Sequence, residues 1–237
     1  MDLKSVCVYC SSSTNTEAAV EKEIRSFGRE LATRGVRLIY GGASKGLMGA
    51  IANEVLAAGG KVTGVIPKAL EGRESAHRGL TELKVVGSMH EREQLMFDLS
   101  DAFVAFPGGF GTMEEIIEMI TWKQMGIHGK PIVIANIGGY FDPLLAQFER
   151  AVQKKYARTE DRILFGVAAT TQAILTFLEG APVLSRKAGD WLRLRRVCPG
   201  VAPLVDFAVP AETPPAPDLY QSGTKAGIKT PLRASGR

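Results

Sequence analysis

Ala102-Phe103-Val104-Ala105-Phe106-Pro107-Gly108-Gly109-Phe110-Gly111-Thr112-Met113-Glu114-Glu115 runs from a short apolar segment, through three glycines, into a stretch with helical spacing. Five apolar residues without polar alternation describe a strand covered on both faces, as in a parallel sheet. Met113, Ile116, Ile117 and Ile120 then recur on one face of a helix expected over 112–126. A strand that enters a helix through a glycine loop belongs to a β-α-β pattern.

The same alternation continues on both sides. Strands are expected at 5–10, 36–40, 61–66, 83–86, 102–106, 131–135 and 163–167, and helices at 15–34, 46–58, 89–99, 112–126, 142–156 and 170–178. Gly35, Gly59, Gly60 and Gly126 stand where helices should stop. The pattern predicts an α/β fold: a Rossmann-like, doubly wound, mainly parallel sheet with helices on both faces and right-handed crossovers. In such sheets ligands bind beyond the carboxyl ends of the strands, so the loops there are the ones to inspect.

The alternation stops near Ala181. Residues 1–180 hold 20 Lys/Arg and 21 Asp/Glu; residues 181–237 hold 9 and 4, with 8 of the 12 prolines. Two parts are expected: a Rossmann-like domain over 1–180 and a basic, largely irregular Pro-rich tail over 181–237. The sequence pI near 9 therefore belongs to the tail, and no nucleic-acid partner is expected. No apolar run reaches the ~20 residues of a membrane span. The N-terminus lacks a signal-peptide pattern, and three cysteines make no secreted disulfide framework. These features predict a cytoplasmic protein without a membrane partner.

The glycine loop lets the backbone turn tightly and lets a ligand reach main-chain N–H groups. The helix N-terminus adds unpaired donors and a partial positive charge, which suits a phosphate. Gly108, Gly109, Phe110, Gly111, Thr112 and Met113 are the candidate substrate-binding residues of this loop, with Thr112 adding a hydroxyl. A second loop, Gly41-Gly42-Ala43-Ser44-Lys45-Gly46-Leu47-Met48-Gly49, adds Gly42 to the set. Gly49 falls inside the following helix, where it costs ~1 kcal/mol relative to Ala, so a close approach is expected there. Neither loop is a P-loop or a G-x-G-x-x-G fingerprint, which argues against an ATPase and a nicotinamide dehydrogenase. Ser11-Ser12-Ser13 is read first as a cap for the first helix, with contact to the ligand as the alternative.

Glu114 and Glu115 open the helix after the loop. The helix dipole alone favours carboxylates there. One facing the ligand would instead bind ribose hydroxyls, position water or stabilise a cationic sugar. In Met89-His90-Glu91-Arg92-Glu93, Arg92 has two readings: a bidentate anion contact, or a surface arginine paired with Glu91 or Glu93. Thr121 and Trp122, taken alone, are packing residues. His77, His90 and His128 have no metal-ligand spacing, and Cys7 with Cys10 is read as a pair of buried structural thiols. No metal is expected.

Taken together, Pro107-Gly108-Gly109-Phe110-Gly111-Thr112-x-x-Glu115, Met89-His90-x-Arg92, Gly41-Gly42…Gly46-Leu47-Met48-Gly49 and Thr121-Trp122 resemble the Lonely Guy (LOG) family of cytokinin-activating enzymes. The likeness covers roughly residues 4–180. It implies a phosphoribohydrolase acting on N6-modified adenosine 5′-monophosphates, with free base and ribose 5-phosphate as products. It further implies Arg92 and Glu115 as the catalytic pair and the glycine loop on the phosphate. Glu74, Glu93, Glu114 and Thr121 complete the candidate substrate-binding set. No cofactor is implied, and the partners are the nucleotide and a second copy of the chain, in a homodimer or larger assembly with sites near the subunit interface. Members often carry the label lysine decarboxylase, for which this sequence supplies no chemical reason. Two positions depart from the family pattern. Glu93 stands where a lysine is usual, and Ser11 where a glycine is usual. The alternatives are a nucleosidase acting on AMP or nucleoside monophosphates in general, and a non-catalytic nucleotide or molybdenum-cofactor carrier.

Overall fold

The computed structural model describes residues 3–71 and 76–180; the expectation for the tail lies outside them. Val, Ile and Phe concentrate in the strands because both faces of the sheet are covered. The strands are β1 (Ser5–Tyr9), β2 (Arg37–Tyr40), β3 (Val62–Pro67), β4 (Glu82–Val86), β5 (Ala102–Ala105), β6 (Ile132–Ala135) and β7 (Gly166–Ala168). The helices are α1 (Ala18–Thr33), α2 (Gly46–Ala57), α3 (Met89–Asp98), α4 (Phe110–Met125), α5 (Asp142–Gln153) and α6 (Thr171–Gly180). They build one seven-stranded sheet in the order β4-β3-β2-β1-β5-β6-β7. Every pairing is parallel, as the alternation predicts.

Successive strand residues feed two cores, because side chains alternate across a strand. Val6, Val8, Leu38 and Val104 pack on one face with Ile24 and Phe27 of α1, Ile51 of α2 and Ile174 of α6. Cys7, Tyr9, Ile39 and Phe103 pack on the other with Met96 of α3, Ile116 of α4 and Leu145 of α5. The chain winds outward from β1 to β4 in one direction and from β5 to β7 in the other. The gap between the carboxyl ends of β1 and β5 is therefore the topological switch point, where such sheets bind ligands.

Gly35, Gly59 and Gly126 follow helix ends with φ of 68°, 77° and 79°, the left-handed stops the sequence predicts. Several boundaries differ from expectation, the fifth helix among them, which ends at Gln153 instead of 156. The first helix begins at Ala18, and its cap residue is Glu17, with no side-chain cap hydrogen bond. The serine hydroxyls are consumed nearer home: Ser11 Oγ accepts from the Ser13 amide and Ser13 Oγ from the Asn15 amide, local bonds that compete with capping. The fourth helix starts at Phe110, so Gly111 lies within it. The last strand is displaced from 163–167 to Gly166–Ala168, because Thr159–Ile163 coils into a 3-10 turn. In that turn the Arg158 amide donates to Asp161 Oδ2 at 2.8 Å.

Candidate active site

Three loops are stitched together at the switch point. The Ser11 amide donates to the Pro107 carbonyl and the Met48 amide to the Ser11 carbonyl, both at 3.2 Å. Ser11 thus joins the loops after β1, β2 and β5, and the capping reading of Ser11-Ser12-Ser13 is replaced by this bracing role. Gly108 is required by crowding, since a Cβ there would overlap the Thr112 side chain and lie 3.0 Å from the Ser11 amide. Gly49 is explained in the same way by the Ser44 carbonyl that lies against it.

Gly109 and Gly111 differ from Gly108. A Cβ on either meets nothing within 4 Å, so open space faces the N-terminus of α4. Gly109 caps that helix without a side-chain bond, and the first amides of a helix have no intrahelical acceptor. The loop is thus an open, donor-rich cradle of the kind that takes an anion. Thr112 is buried beneath it, Met113 half-buried, and Phe110 fully presented to solvent at 90% exposure. Tyr140 braces the cradle from the β6 side, its hydroxyl donating to the Gly108 carbonyl at 2.6 Å. A pocket of about 180 Å³ opens beside it, lined among others by Ser11, Asn15, Glu17, Leu47, Gly108 and Tyr140. Asn15, Glu17 and Tyr140 were not among the residues singled out from the sequence. Gly138-Gly139 before Tyr140, directly after a strand, was the available signal.

Arg92 of α3 and Glu115 of α4 meet on the other side of the sheet's carboxyl edge. They are 5% and 4% exposed, with Arg92 Nη2 3.4 Å from Glu115 Oε1. The surface reading of Arg92 is therefore overturned. Glu91 is engaged elsewhere: Ser88 Oγ accepts from the Glu91 amide, while Glu91 Oε2 accepts from the Gly87 amide. This reciprocal pair fixes the start of α3 and hence the register of Arg92. Of the guanidinium's remaining donors, Nη1 lies 3.9 Å from Met89 Sδ, and Nε has no hydrogen-bond partner among the described residues. The floor beneath is closed to water: Cys7 and Tyr9 are 0% and 2% exposed, and burial, first of all, pushes the thiol and the phenol well above their ordinary values. A dry floor strengthens every charge interaction above it.

Glu114, unlike Glu115, is exposed; because the helix starts at Phe110, both carboxylates lie beyond its first turn, and the dipole reading made from the sequence does not apply to them. Glu93, Glu114 and Glu118 bring carboxylate oxygens within 4.8 Å of one another. Among the described residues these are the ligand atoms that stand closest to the arrangement a divalent cation takes. Burial, followed by the Glu93 charge, pushes the Glu114 and Glu118 carboxyls upward.

Not every candidate joins the pair. Gly42 has φ of 82° and packs towards Ile66 and Leu83. Thr121 lies on the outer face of α4, exposed, with its hydroxyl bonded to the Ile117 carbonyl, so it is not a packing residue of this chain. Trp122 is one, edge-on to Phe97 at 5.1 Å. Glu74 lies outside the described residues. Cys7 and Cys10 are buried free thiols, as read from the sequence. Among the described residues, no helix is long and apolar enough to cross a membrane.

A family model described as "Possible lysine decarboxylase" matches residues 48–178. The chain is 45% identical over 174 residues to the probable cytokinin riboside 5′-monophosphate phosphoribohydrolase LOGL1 of Oryza sativa subsp. japonica, covering 73% of this chain and 78% of that one. It is 40% identical over 176 residues to the cytokinin riboside 5′-monophosphate phosphoribohydrolase LOG1 of Arabidopsis thaliana, covering 74% and 83%. Its fold matches that of a molybdenum cofactor binding protein from Rippkaea orientalis with a TM-score of 0.58 at 18% identity, over 75% of this chain and 96% of that one.

Proposed function

Because the chain belongs to the LOG family of cytokinin riboside 5′-monophosphate phosphoribohydrolases, we propose that it is a hydrolase of the N-glycosidic bond in N6-modified adenosine 5′-monophosphates. Water adds to C1′, the C1′–N9 bond breaks, and its electron pair leaves with the base, which takes up a proton. The products are the free base and ribose 5-phosphate. The observation that carries the reading is the buried Arg92–Glu115 pair beside an open glycine cradle.

Each part has a place in that chemistry. The amides at the start of α4 take the 5′-phosphate. N-glycosidic cleavage passes through an oxocarbenium-like state, and a carboxylate beside the sugar stabilises the growing cation. Glu115 supplies that carboxylate and orients the attacking water. Arg92, with unused N–H groups in a dry setting, holds the phosphate or offsets charge on the departing base. The chain's free, buried thiols accord with a reducing compartment, the cytoplasm.

The active form is assigned as a homodimer. Phe110, Ile117 and Met125 of α4 and Met89 of α3 are exposed large apolar residues, and an apolar face of this kind marks an association surface. Phe110 and Thr121, both candidates for substrate contact, lie on this face, where a second copy would bring them to a neighbouring site.

The test is base release from isopentenyladenosine monophosphate and from AMP in parallel, with Glu115→Gln as control. The expected result is rapid release from the prenylated nucleotide and a loss of ~10²-fold or more in kcat for the variant. Faster release from AMP would make the enzyme a general nucleoside-monophosphate nucleosidase. Tight binding of both nucleotides without release would identify a carrier instead.

A further inference from the structure

Gly41 and Gly42 follow β2 side by side, yet they are glycines for different reasons. Gly42 has the left-handed backbone that disfavours side chains. Gly41 does not appear among the residues with positive φ, so its backbone would accept any residue. What a side chain there would meet is Arg92. A Cβ built on Gly41 overlaps Arg92 Nη2 and lies 3.2 Å and 3.3 Å from Met48 Cε and Sδ. The same Nη2 faces Glu115 Oε1 at 3.4 Å.

We propose that Gly41 is a positioning residue for Arg92: its missing side chain is the seat of the guanidinium. The proposal rests on the catalytic reading of Arg92 given above. The seat consists of backbone and thioethers, from Gly41 and Met48 on one side and Met89 on the other. The contact recorded from this seat to a guanidinium N–H is the Met89 sulfur. Glu115 engages one edge, and Nε is left without a partner among the described residues. A planar five-donor group held this way keeps its N–H groups for an anionic or base-nitrogen ligand.

The obstruction is the tip of a flexible side chain, not backbone. An alanine at position 41 is therefore accommodated by moving the guanidinium, and the fold is little disturbed. A displacement of about 1 Å at a group that acts on the reacting atoms costs on the order of 10²-fold in rate. The consequence falls on turnover while stability is nearly unchanged, the reverse of what a merely structural glycine would show.

The experiment is a double-mutant cycle of Gly41→Ala and Arg92→Ala in the full chain. It reads base release from isopentenyladenosine monophosphate, thermal stability, and AMP affinity by calorimetry. Gly41→Ala is expected to lower kcat/KM by ~10²-fold with a melting shift of only a few degrees. In the Arg92→Ala background, the same change is expected to alter turnover and AMP affinity by no more than about two-fold, because the residue it acts through is gone. Calorimetry reads the cycle where Arg92→Ala turnover is too slow to follow. Arg92→Ala at wild-type turnover would overturn the catalytic assignment and this inference with it. An impaired Arg92→Ala beside a fully active Gly41→Ala would overturn the role of Gly41 alone. So would an equal loss of AMP affinity from Gly41→Ala in both backgrounds.

Discussion

Glu93 occupies a position where the resembled family usually carries lysine, and its neighbours show what the exchange does. It is 8% exposed, and its carboxylate oxygens approach those of Glu114 and Glu118. The side-chain partner it does have is His90 Nδ1 at 3.8 Å. Glu114 and Glu118 are pushed upward from the ordinary 4.5, so the folded state holds protons that the unfolded chain releases. Such groups favour folding below pH ~4.5, and that contribution is lost as the pH rises through their folded values. Glu93→Lys removes one cause of the shift and supplies an opposite charge. It is expected to raise the melting temperature at pH 7.5 by a few degrees, roughly 1 kcal/mol. At pH 4 the gain should be much smaller, since the carboxylates are then largely neutral. An equal gain at both pH values, or a loss at pH 7.5, would contradict the account. At this scale residue type alone left Arg92 and Glu115 with two readings each, and it was the resemblance to the LOG family that joined them as a candidate pair. Arg92's burial was not legible, since it follows from α3 lying over β3 and α4 over β5. Nor was the reason for Gly41, which depends on a side chain fifty-one positions away in the chain.

Elements were legible where a periodic run met a glycine stop, as at Gly35, Gly59 and Gly126, and less so where glycine plays two parts. Gly111 reads as loop from composition, yet it belongs to the first turn of α4, where helix cost is low because those amides are unpaired anyway. At the other end of α4 the sequence gives no warning of Lys123, which is 7% exposed. Its Nζ donates to the Lys130 carbonyl at 3.0 Å, tying the helix end to the chain that enters β6. Burial pushes its ammonium down to about 8 from the ordinary 10.5. The unfolded chain thus binds the proton more strongly than the folded one between those values. The penalty is complete below pH 8 and is relieved as the pH rises towards 10.5, so this group makes stability increase with pH there. The full span corresponds to about 3 kcal/mol. Lys123→Met lacks the titration. Urea unfolding at pH 7 and pH 10 should show the wild type gaining on the variant by an amount of that order; buried Cys7 and Tyr9, which titrate the opposite way, are common to both. Parallel pH dependence of the two proteins would show that Lys123 is solvated in the native state.

At the scale of the whole molecule, the reversal of winding between β1 and β5 places the glycine cradle, and the packing of α3 on β3 and of α4 on β5 brings Arg92 to Glu115. The fold class was legible because a two-sided sheet imposes uninterrupted apolar strands. The association surface was not, because α4 shows its helical repeat on two faces. Ile116 and Met119 enter the core, while Phe110, Glu114, Ile117, Thr121 and Met125 share the outer face at spacings of three and four. Only the folded arrangement separates the buried stripe from the exposed one. Exposure of Phe110 at 90% and Met125 at 57% is costly for a surface that stays in water, since burying each large apolar side chain is worth about 1.5–3 kcal/mol. A symmetric contact across α4 would recover that free energy in both subunits at once and would set the cradle of one chain beside the Thr121 face of the other. Ile117, at the middle of the stripe and 37% exposed, is the sensitive position. Ile117→Asp should halve the mass measured by light scattering at micromolar concentration while leaving far-ultraviolet circular dichroism intact, because Ile117 belongs to neither hydrophobic core. If sites are completed by the partner, turnover should fall with the mass. A wild type that is already monomeric at that concentration would remove the dimer from the proposal, and a monomeric variant with full turnover would show that each chain carries a complete site.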